Sequence, residues 1–105
     1  MRPAAHTPLP EVAGRLLAAT RILALCHIDP DGDAIGSLLG LGWLLRAAQG
    51  QRSVVLACQD AIPDNLCFLP GAEGIVSRSP AEPWDLIVSL DASDVRRLGT
   101  PYEKA

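Results

Sequence analysis

Residues 22–37, with the sequence ILALCHIDPDGDAIGS, decide the fold of this chain. The first five, Ile22 to Cys26, form an unbroken apolar run, which is typical of a strand buried on both faces of a parallel sheet. Pro30 and Gly32 then predict a tight turn directly after the strand.

A helix is predicted after this turn, from Ala34 to about Gln49. Its sequence is apolar on nearly every side, so we expect a helix that is largely covered by protein. Asp33 is placed to cap its amino terminus, and Gly50 is a natural residue for its end.

The remaining elements complete an open α/β fold. They are a helix from about Pro10 to Ala19, strands at Ser53–Cys58 and Asp85–Leu90, a helical turn near Pro63–Asn65 and a short edge strand at Ile75–Val76. The order β-α-β-β-β, with a crossover helix after the first strand, favours an open, mainly parallel sheet with flanking helices. Residues 1–8 are predicted to form a flexible arm.

Composition excludes several classes of protein. The 105 residues are 49% hydrophobic and only 20% charged, which excludes a disordered tail. Lys and Arg number 9 against 12 Asp and Glu, and no basic cluster exists, which excludes a basic nucleic-acid-binding module. The longest apolar stretch is too short to span a bilayer, so we expect no membrane partner.

The number and spacing of the cysteines indicate the redox state of the compartment in which the protein resides. Cys26, Cys58 and Cys67 cannot all pair with one another, and none of them has a CxxC spacing. A disulfide framework and a zinc knuckle are therefore disfavoured, and a reducing cytoplasm fits better.

The turn after the first strand carries the densest chemistry. Residues 27–33 hold one imidazole, His27, and three carboxylates, Asp29, Asp31 and Asp33. The carboxyl end of a strand in an open α/β sheet is where ligands bind, and carboxylates this close repel one another unless a cation or protons hold them. A mixed His and Asp set suits a divalent transition metal such as manganese. The alternative, an ordinary surface turn, is disfavoured by the preceding His and strand and the following helix.

Asp91 is a second candidate, because it ends the predicted strand Asp85–Leu90. If that strand lies beside the first one, Asp91 reaches the same crevice as Asp31 and Asp33. The alternative is an ordinary turn or capping residue.

These segments resemble a known family. HIDPDGDAIGS (27–37) resembles the first motif of the DHH phosphoesterases, and LDASDVRRLG (90–99) resembles their second. The stretch IPDNLCFLPGAEGI (62–75) is similar to the region between the motifs in the oligoribonuclease and 3′-phosphoadenosine-5′-phosphate phosphatase branch. The resemblance implies a metal-dependent phosphoesterase that hydrolyses short oligoribonucleotides or small nucleotide phosphates with two manganese ions, with magnesium or cobalt as alternatives.

The resemblance also implies roles for individual residues. His27 and Asp31 would bind one metal, Asp33 would bind the other and Asp91 would bridge both, so that the three aspartates form the catalytic set. Ser37 and Arg96 are implied as substrate contacts, Arg97 is a further candidate, and a solvated helix face is the alternative for both arginines. A homodimer is a further implication for the full-length form.

This sequence departs from the family in one large respect. The Asp-His-His triplet that follows the second motif is absent, since His6 and His27 are the two histidines of the chain. We therefore expect residues 1–105 to be a partial DHH domain, without the rest of that domain or the substrate-binding domain, and to be inactive in isolation. The alternative is a non-catalytic remnant that binds a nucleotide or a partner chain.

Overall fold

The computed structural model describes residues 8–48, 53–80, 83–91 and 95–103. Within these ranges the main elements are α1 (Leu9–Ala18), β1 (Arg21–Cys26), α2 (Gly32–Ala47), β2 (Ser53–Ala57), β3 (Leu86–Leu90) and α3 (Thr100–Glu103). Short 3-10 helices lie at Asp64–Leu66, Ala72–Gly74 and Val95–Leu98. The predicted arm, apart from Pro8, and the predicted stop at Gly50 fall outside the described residues.

The described strands form a parallel sheet in the order β2-β1-β3, which confirms the predicted fold class. Strand β1 lies in the centre because it is apolar on both faces, and five of its six residues are buried. Ala24 and Cys26 pack on one face with α2, whereas Leu23 and Leu25 pack on the other face with Leu98. The continuous apolar run thus has the two-sided burial that it predicts.

Helix α2 begins earlier than predicted, and its cap is Asp31 rather than Asp33. Asp31 has an extended backbone, and its Oδ1 accepts a hydrogen bond from the Ala34 amide at 2.9 Å. Asp33 lies inside the first turn and is exposed there. The prediction of Asp33 as the cap is therefore wrong, because the chain already turns helical at Gly32.

The expectation that α2 is largely covered by protein is also wrong. Ile35, Leu38 and Leu45 are buried against the sheet, but the opposite face, which includes Trp43 and Leu44, is exposed. The Trp43 indole N–H donates to the Pro70 carbonyl at 3.2 Å, so its polar atom is satisfied at the surface. No helix in the described ranges is long and apolar enough to cross a membrane.

The edge strand predicted at Ile75–Val76 is reduced to a single parallel bridge between Val76 and Ala57. The Val76 amide donates to the Leu56 carbonyl, and the Val76 carbonyl accepts from the Cys58 amide, both at 2.9 Å. Because the pairing covers one residue, the segment protects the outer edge of β2 without extending the sheet by a full strand.

Asp85 joins the starts of β1 and β3. Its Oδ2 accepts hydrogen bonds from the Thr20 hydroxyl at 2.6 Å, the Thr20 amide at 2.9 Å and the Arg21 amide at 3.1 Å. The bonds from Thr20, and then that from Arg21, hold the pKa of Asp85 below its ordinary value of 3.8.

We expect Asp85→Ala to lower the melting temperature at neutral pH, because two backbone amides lose their acceptor. A depressed pKa contributes stability above pH 3.8, and that stability is lost as the pH falls through the lower folded-state value. Thermal melts of both proteins from pH 7 to pH 2 should therefore converge in acid. A melting-temperature difference that is constant over this range would contradict the charge-dependent role, and Asp64→Ala serves as an exposed control.

Candidate metal centre

The parallel register brings the two sequence motifs to one edge of the sheet. Cys26 and Leu90 are paired as the last residues of β1 and β3. His27 and Asp91 are the next residues, so they leave neighbouring strands at the same point. The tight turn after β1 then returns Asp31 to this edge as the cap of α2. The centre is therefore built at the carboxyl ends of adjacent parallel strands, where open α/β sheets bind ligands.

Three side chains converge there. His27 Nε2 lies 3.2 Å from Asp91 Oδ2 and 3.7 Å from Asp31 Oδ1. One ligand atom from each of the three residues lies within 4.8 Å of the other two. The imidazole is 8% exposed, whereas the Asp31 and Asp91 side chains are 65% and 43% exposed. The cluster thus consists of a buried imidazole and two solvent-exposed carboxylates.

Backbone chemistry fixes the tautomer of His27. Its Nδ1 lies 2.6 Å from the Ile28 carbonyl oxygen, which can only accept a hydrogen bond, so Nδ1 carries a hydrogen. In the neutral ring Nε2 then presents a lone pair toward Asp31 and Asp91. The Ile28 hydrogen bond, and after it the Asp91 carboxylate, hold the pKa of His27 above its ordinary value of 6.5, against the effect of burial.

The donor set fits a divalent transition metal. A neutral imidazole nitrogen and two carboxylates are all acceptors, and acceptors facing one another need a proton or a cation between them. A carbonyl that holds the second ring nitrogen is the usual partner of a metal-binding histidine. The set of one nitrogen and two groups of oxygens suits manganese, which accepts both ligand types. A metal must displace the proton that the raised pKa of His27 favours.

The loops that carry the centre have unusual backbone conformations. Asp29 and Asp91 are the two non-glycine residues in the described ranges with positive φ, at 55° and 58°. Asp tolerates this left-handed region better than most residues, and such conformations concentrate at functional sites. Asp60, in the loop after β2, accepts a hydrogen bond from the Asp29 amide at 2.6 Å and so holds the turn in place.

Other predicted site residues lie apart from this cluster. Asp33 does not join the three clustered residues and is exposed in the first turn of α2. Ser37 is exposed one turn further along α2, and Arg96 is exposed on the 3-10 helix Val95–Leu98. Their assignments as second-metal and substrate ligands remain predictions.

Of two further residues that contact the turn after β1, Asp60 was not predicted, and Arg97 was named only as a candidate substrate contact. Asp60 holds the Asp29 amide across 31 residues of sequence, and Arg97 Nη2 lies 3.5 Å from His27 Nδ1 across 70 residues. No local sequence pattern predicts the contact of Asp60 with the Asp29 amide. Arg96 and Arg97 are adjacent and of the same residue type, so the sequence does not predict which of them approaches His27.

Two buried thiols lie beneath the centre. Cys26 is the last residue of β1, Cys58 directly follows β2, and both pack in the core with α2. The hydrogen bond to Cys58, together with burial, raises the pKa of the Cys26 thiol. The Cys58 thiol also donates to the His27 carbonyl at 3.4 Å. Cys26 therefore stays a neutral thiol and packs as a small apolar side chain.

Comparisons with known proteins agree with the sequence motifs. The chain is 41% identical over 81 residues to the bifunctional oligoribonuclease and PAP phosphatase NrnA of Thermus thermophilus. Its fold superposes with a TM-score of 0.74 on the crystal structure of an exopolyphosphatase-related protein from Bacteroides fragilis, at 28% identity. The chain belongs to the DHH family of phosphoesterases.

The DHH relatives are much longer than this chain. The match to the Thermus protein covers 73% of this chain and 23% of the relative, and the match to the Bacteroides protein covers 86% and 28%. No family model matches the sequence. The family is thus shown for a stretch that spans about a quarter of these relatives.

Proposed function

We propose that this chain forms the metal-binding part of a manganese-dependent phosphoesterase that hydrolyses short oligoribonucleotides or small nucleotide phosphates. The observation that carries the proposal is the convergence of His27, Asp31 and Asp91 within 4.8 Å at the carboxyl edge of the sheet. Metal-dependent phosphoester hydrolysis uses a cation to neutralise phosphoryl charge and to activate a water, and carboxylates with an imidazole are suitable ligands for such a cation.

Each of the three residues has a distinct task in this proposal. The Ile28 carbonyl orients His27 so that Nε2 faces the carboxylates, and burial of the ring limits its movement. Asp91 and Asp31 supply the negative charge that holds the cation, and both remain accessible to substrate. When bound, manganese would supply Lewis acidity and lower the pKa of a water molecule.

The substrate class is proposed from the relatives. The Thermus relative is named as an oligoribonuclease and PAP phosphatase, and the Bacteroides relative as exopolyphosphatase-related. The acidic balance of this chain, 12 acidic against 9 basic residues, favours a short or small phosphate substrate over a long nucleic acid. A cytoplasmic location is part of the proposal, because Cys26, Cys58 and Cys67 are all free thiols.

The test is a hydrolysis assay on the full-length protein that contains this chain. Short RNA and 3′-phosphoadenosine 5′-phosphate should be assayed side by side, with manganese and with a chelator. We expect manganese-dependent release of mononucleotide or phosphate, and its loss in the chelator. Nucleotide binding without any turnover would contradict the enzyme and favour the non-catalytic binding module instead.

The matched measurement uses residues 1–105 alone, which we expect to bind manganese weakly and to hydrolyse nothing. Three clustered side chains leave a cation with few protein ligands, so carboxylate desolvation is poorly offset. Calorimetric titration with manganese and the same assay check both points. Turnover by the isolated chain would show that the family's further ligands are dispensable.

A further inference from the structure

Arg97 places a positive charge on the side of His27 that faces away from the carboxylates. Its Nη2 lies 3.5 Å from His27 Nδ1, whereas the Asp31 and Asp91 oxygens face Nε2. The guanidinium is therefore at the edge of the candidate metal centre without being part of its donor set.

The backbone around Arg97 is held firmly. The Ile28 amide donates to the Arg97 carbonyl, and the next residue, Leu98, is 2% exposed. Two residues further on, the Thr100 amide donates to Gln59 Oε1 at 2.9 Å. The fold thus holds the backbone of Arg97 beside the turn after β1.

The contact with His27 cannot satisfy the guanidinium. Nδ1 already directs its hydrogen to the Ile28 carbonyl, so it offers no lone pair to an Arg97 N–H. The Asp31 and Asp91 carboxylates contact His27 through the opposite nitrogen, Nε2. Within the parts of the chain that the structure describes, no ion pair joins Arg97 to an acidic side chain. As far as the described residues go, the N–H groups of Arg97 therefore remain available to an anion from solution.

The acidic charge around the centre disfavours an approaching phosphate anion, and a guanidinium at its edge would offset that repulsion. Four exposed aspartates lie in or next to the turns that follow β1 and β3, namely Asp29, Asp31, Asp33 and Asp91. A phosphate anion that approaches meets their repulsion, and a metal ion offsets only part of it. Guanidinium groups match the oxygens of a phosphoryl group in shape and charge.

We propose that Arg97 binds a phosphoryl oxygen of the substrate on the Nδ1 side of His27, at the edge of the candidate metal centre. The inference rests on the proposed function and names the residue that recognises the phosphate group. It names Arg97 because the Nη2 atom of this residue lies 3.5 Å from His27 Nδ1.

The test is a two-stage calorimetric titration of residues 1–105, first with manganese and then with inorganic phosphate. Wild type is compared with Arg97→Ala, Arg97→Lys and Arg15→Ala. Arg15 is a matched control, since it pairs with Glu11 on α1 and lines a surface with Asp85 at the opposite end of the sheet. Melting temperatures of the four proteins check that each one is folded.

We expect Arg97→Ala to weaken phosphate binding about tenfold or more, because a charge-assisted hydrogen bond is lost. Its manganese affinity should be unchanged or slightly higher, since removal of a positive charge favours a nearby cation. Arg97→Lys should be intermediate because it keeps the charge but loses the fork of donors. Arg15→Ala should match wild type in both stages.

Other results would overturn the inference. Three such results would leave the metal centre in place. The first is equal phosphate affinity in Arg97→Ala and wild type, and the second is absence of phosphate binding by the manganese-loaded wild type. The third is parallel loss of manganese and phosphate binding in folded Arg97→Ala. Absence of manganese binding by wild type would instead overturn the proposed function, and the inference with it.

Discussion

Asp91→Asn is expected to reduce manganese affinity by about two orders of magnitude or more and to abolish hydrolysis by the full-length protein. Asn keeps the size of the side chain but removes the carboxylate charge that faces His27 Nε2 at 3.2 Å. Among the described residues, Asp91 supplies one of the two carboxylates that cluster with His27, so its loss halves their contribution to the anionic charge that offsets metal desolvation.

The fold should survive this change, because Asp91 is 43% exposed and the loss of one carboxylate relieves repulsion with Asp31. Manganese titration and melting temperature, measured on the same preparations, separate the two effects. Glu73→Gln, which neutralises an exposed carboxylate on the 3-10 helix Ala72–Gly74, is the charge control. Near-normal activity of Asp91→Asn under saturating manganese would count against the role of Asp91.

The second large effect concerns Asp31, which has two separable tasks. Its Oδ1 caps α2 through the Ala34 amide at 2.9 Å, and the same atom lies 3.7 Å from His27 Nε2. Ser is an equally good helix cap but carries no charge, whereas Ala provides neither function. We therefore expect Asp31→Ser and Asp31→Ala to lose manganese binding alike, and Asp31→Ala alone to lose about 0.5–2 kcal/mol of folding stability.

Urea unfolding in the presence of a chelator measures the capping effect, and manganese titration measures the metal effect. Equal unfolding free energies for the Ser and Ala variants would show that the cap contributes little. Manganese binding by Asp31→Ser at wild-type strength would remove Asp31 from the metal centre.

The strands could be predicted because burial on two faces leaves a simple signature. Ile22–Cys26 is apolar at every position, and the structure places it at the centre of the parallel sheet. The convergence of Asp91 with His27 and Asp31 followed from the same argument, since parallel strands end at one edge.

The capping residue could not be predicted, because Asp31 and Asp33 are the same residue type two positions apart. The choice depends on where the backbone turns helical, and the extended conformation of Asp31 decides it. The exposure of one face of α2 could not be predicted from the sequence either. Trp43 and Leu44 are large apolar residues like the buried Leu38 and Leu45. Residue type alone therefore does not predict which face of the helix packs against the sheet.

Long-range polar contacts were equally inaccessible to pattern. The hydrogen bond from the Asp29 amide to Asp60 and the approach of Arg97 to His27 join residues that are far apart in sequence. Such contacts depend on how loops meet at the sheet edge, and hydrophobic periodicity carries no information about them.

The most direct test of the metal centre is anomalous diffraction from crystals of this chain grown with manganese. Data collected on both sides of the manganese absorption edge locate the ion independently of the protein atoms. We expect an anomalous peak at bonding distance from His27 Nε2 and from carboxylate oxygens of Asp31 and Asp91. Well-ordered side chains of these three residues without such a peak, at manganese concentrations that saturate the calorimetric titration, would contradict the account.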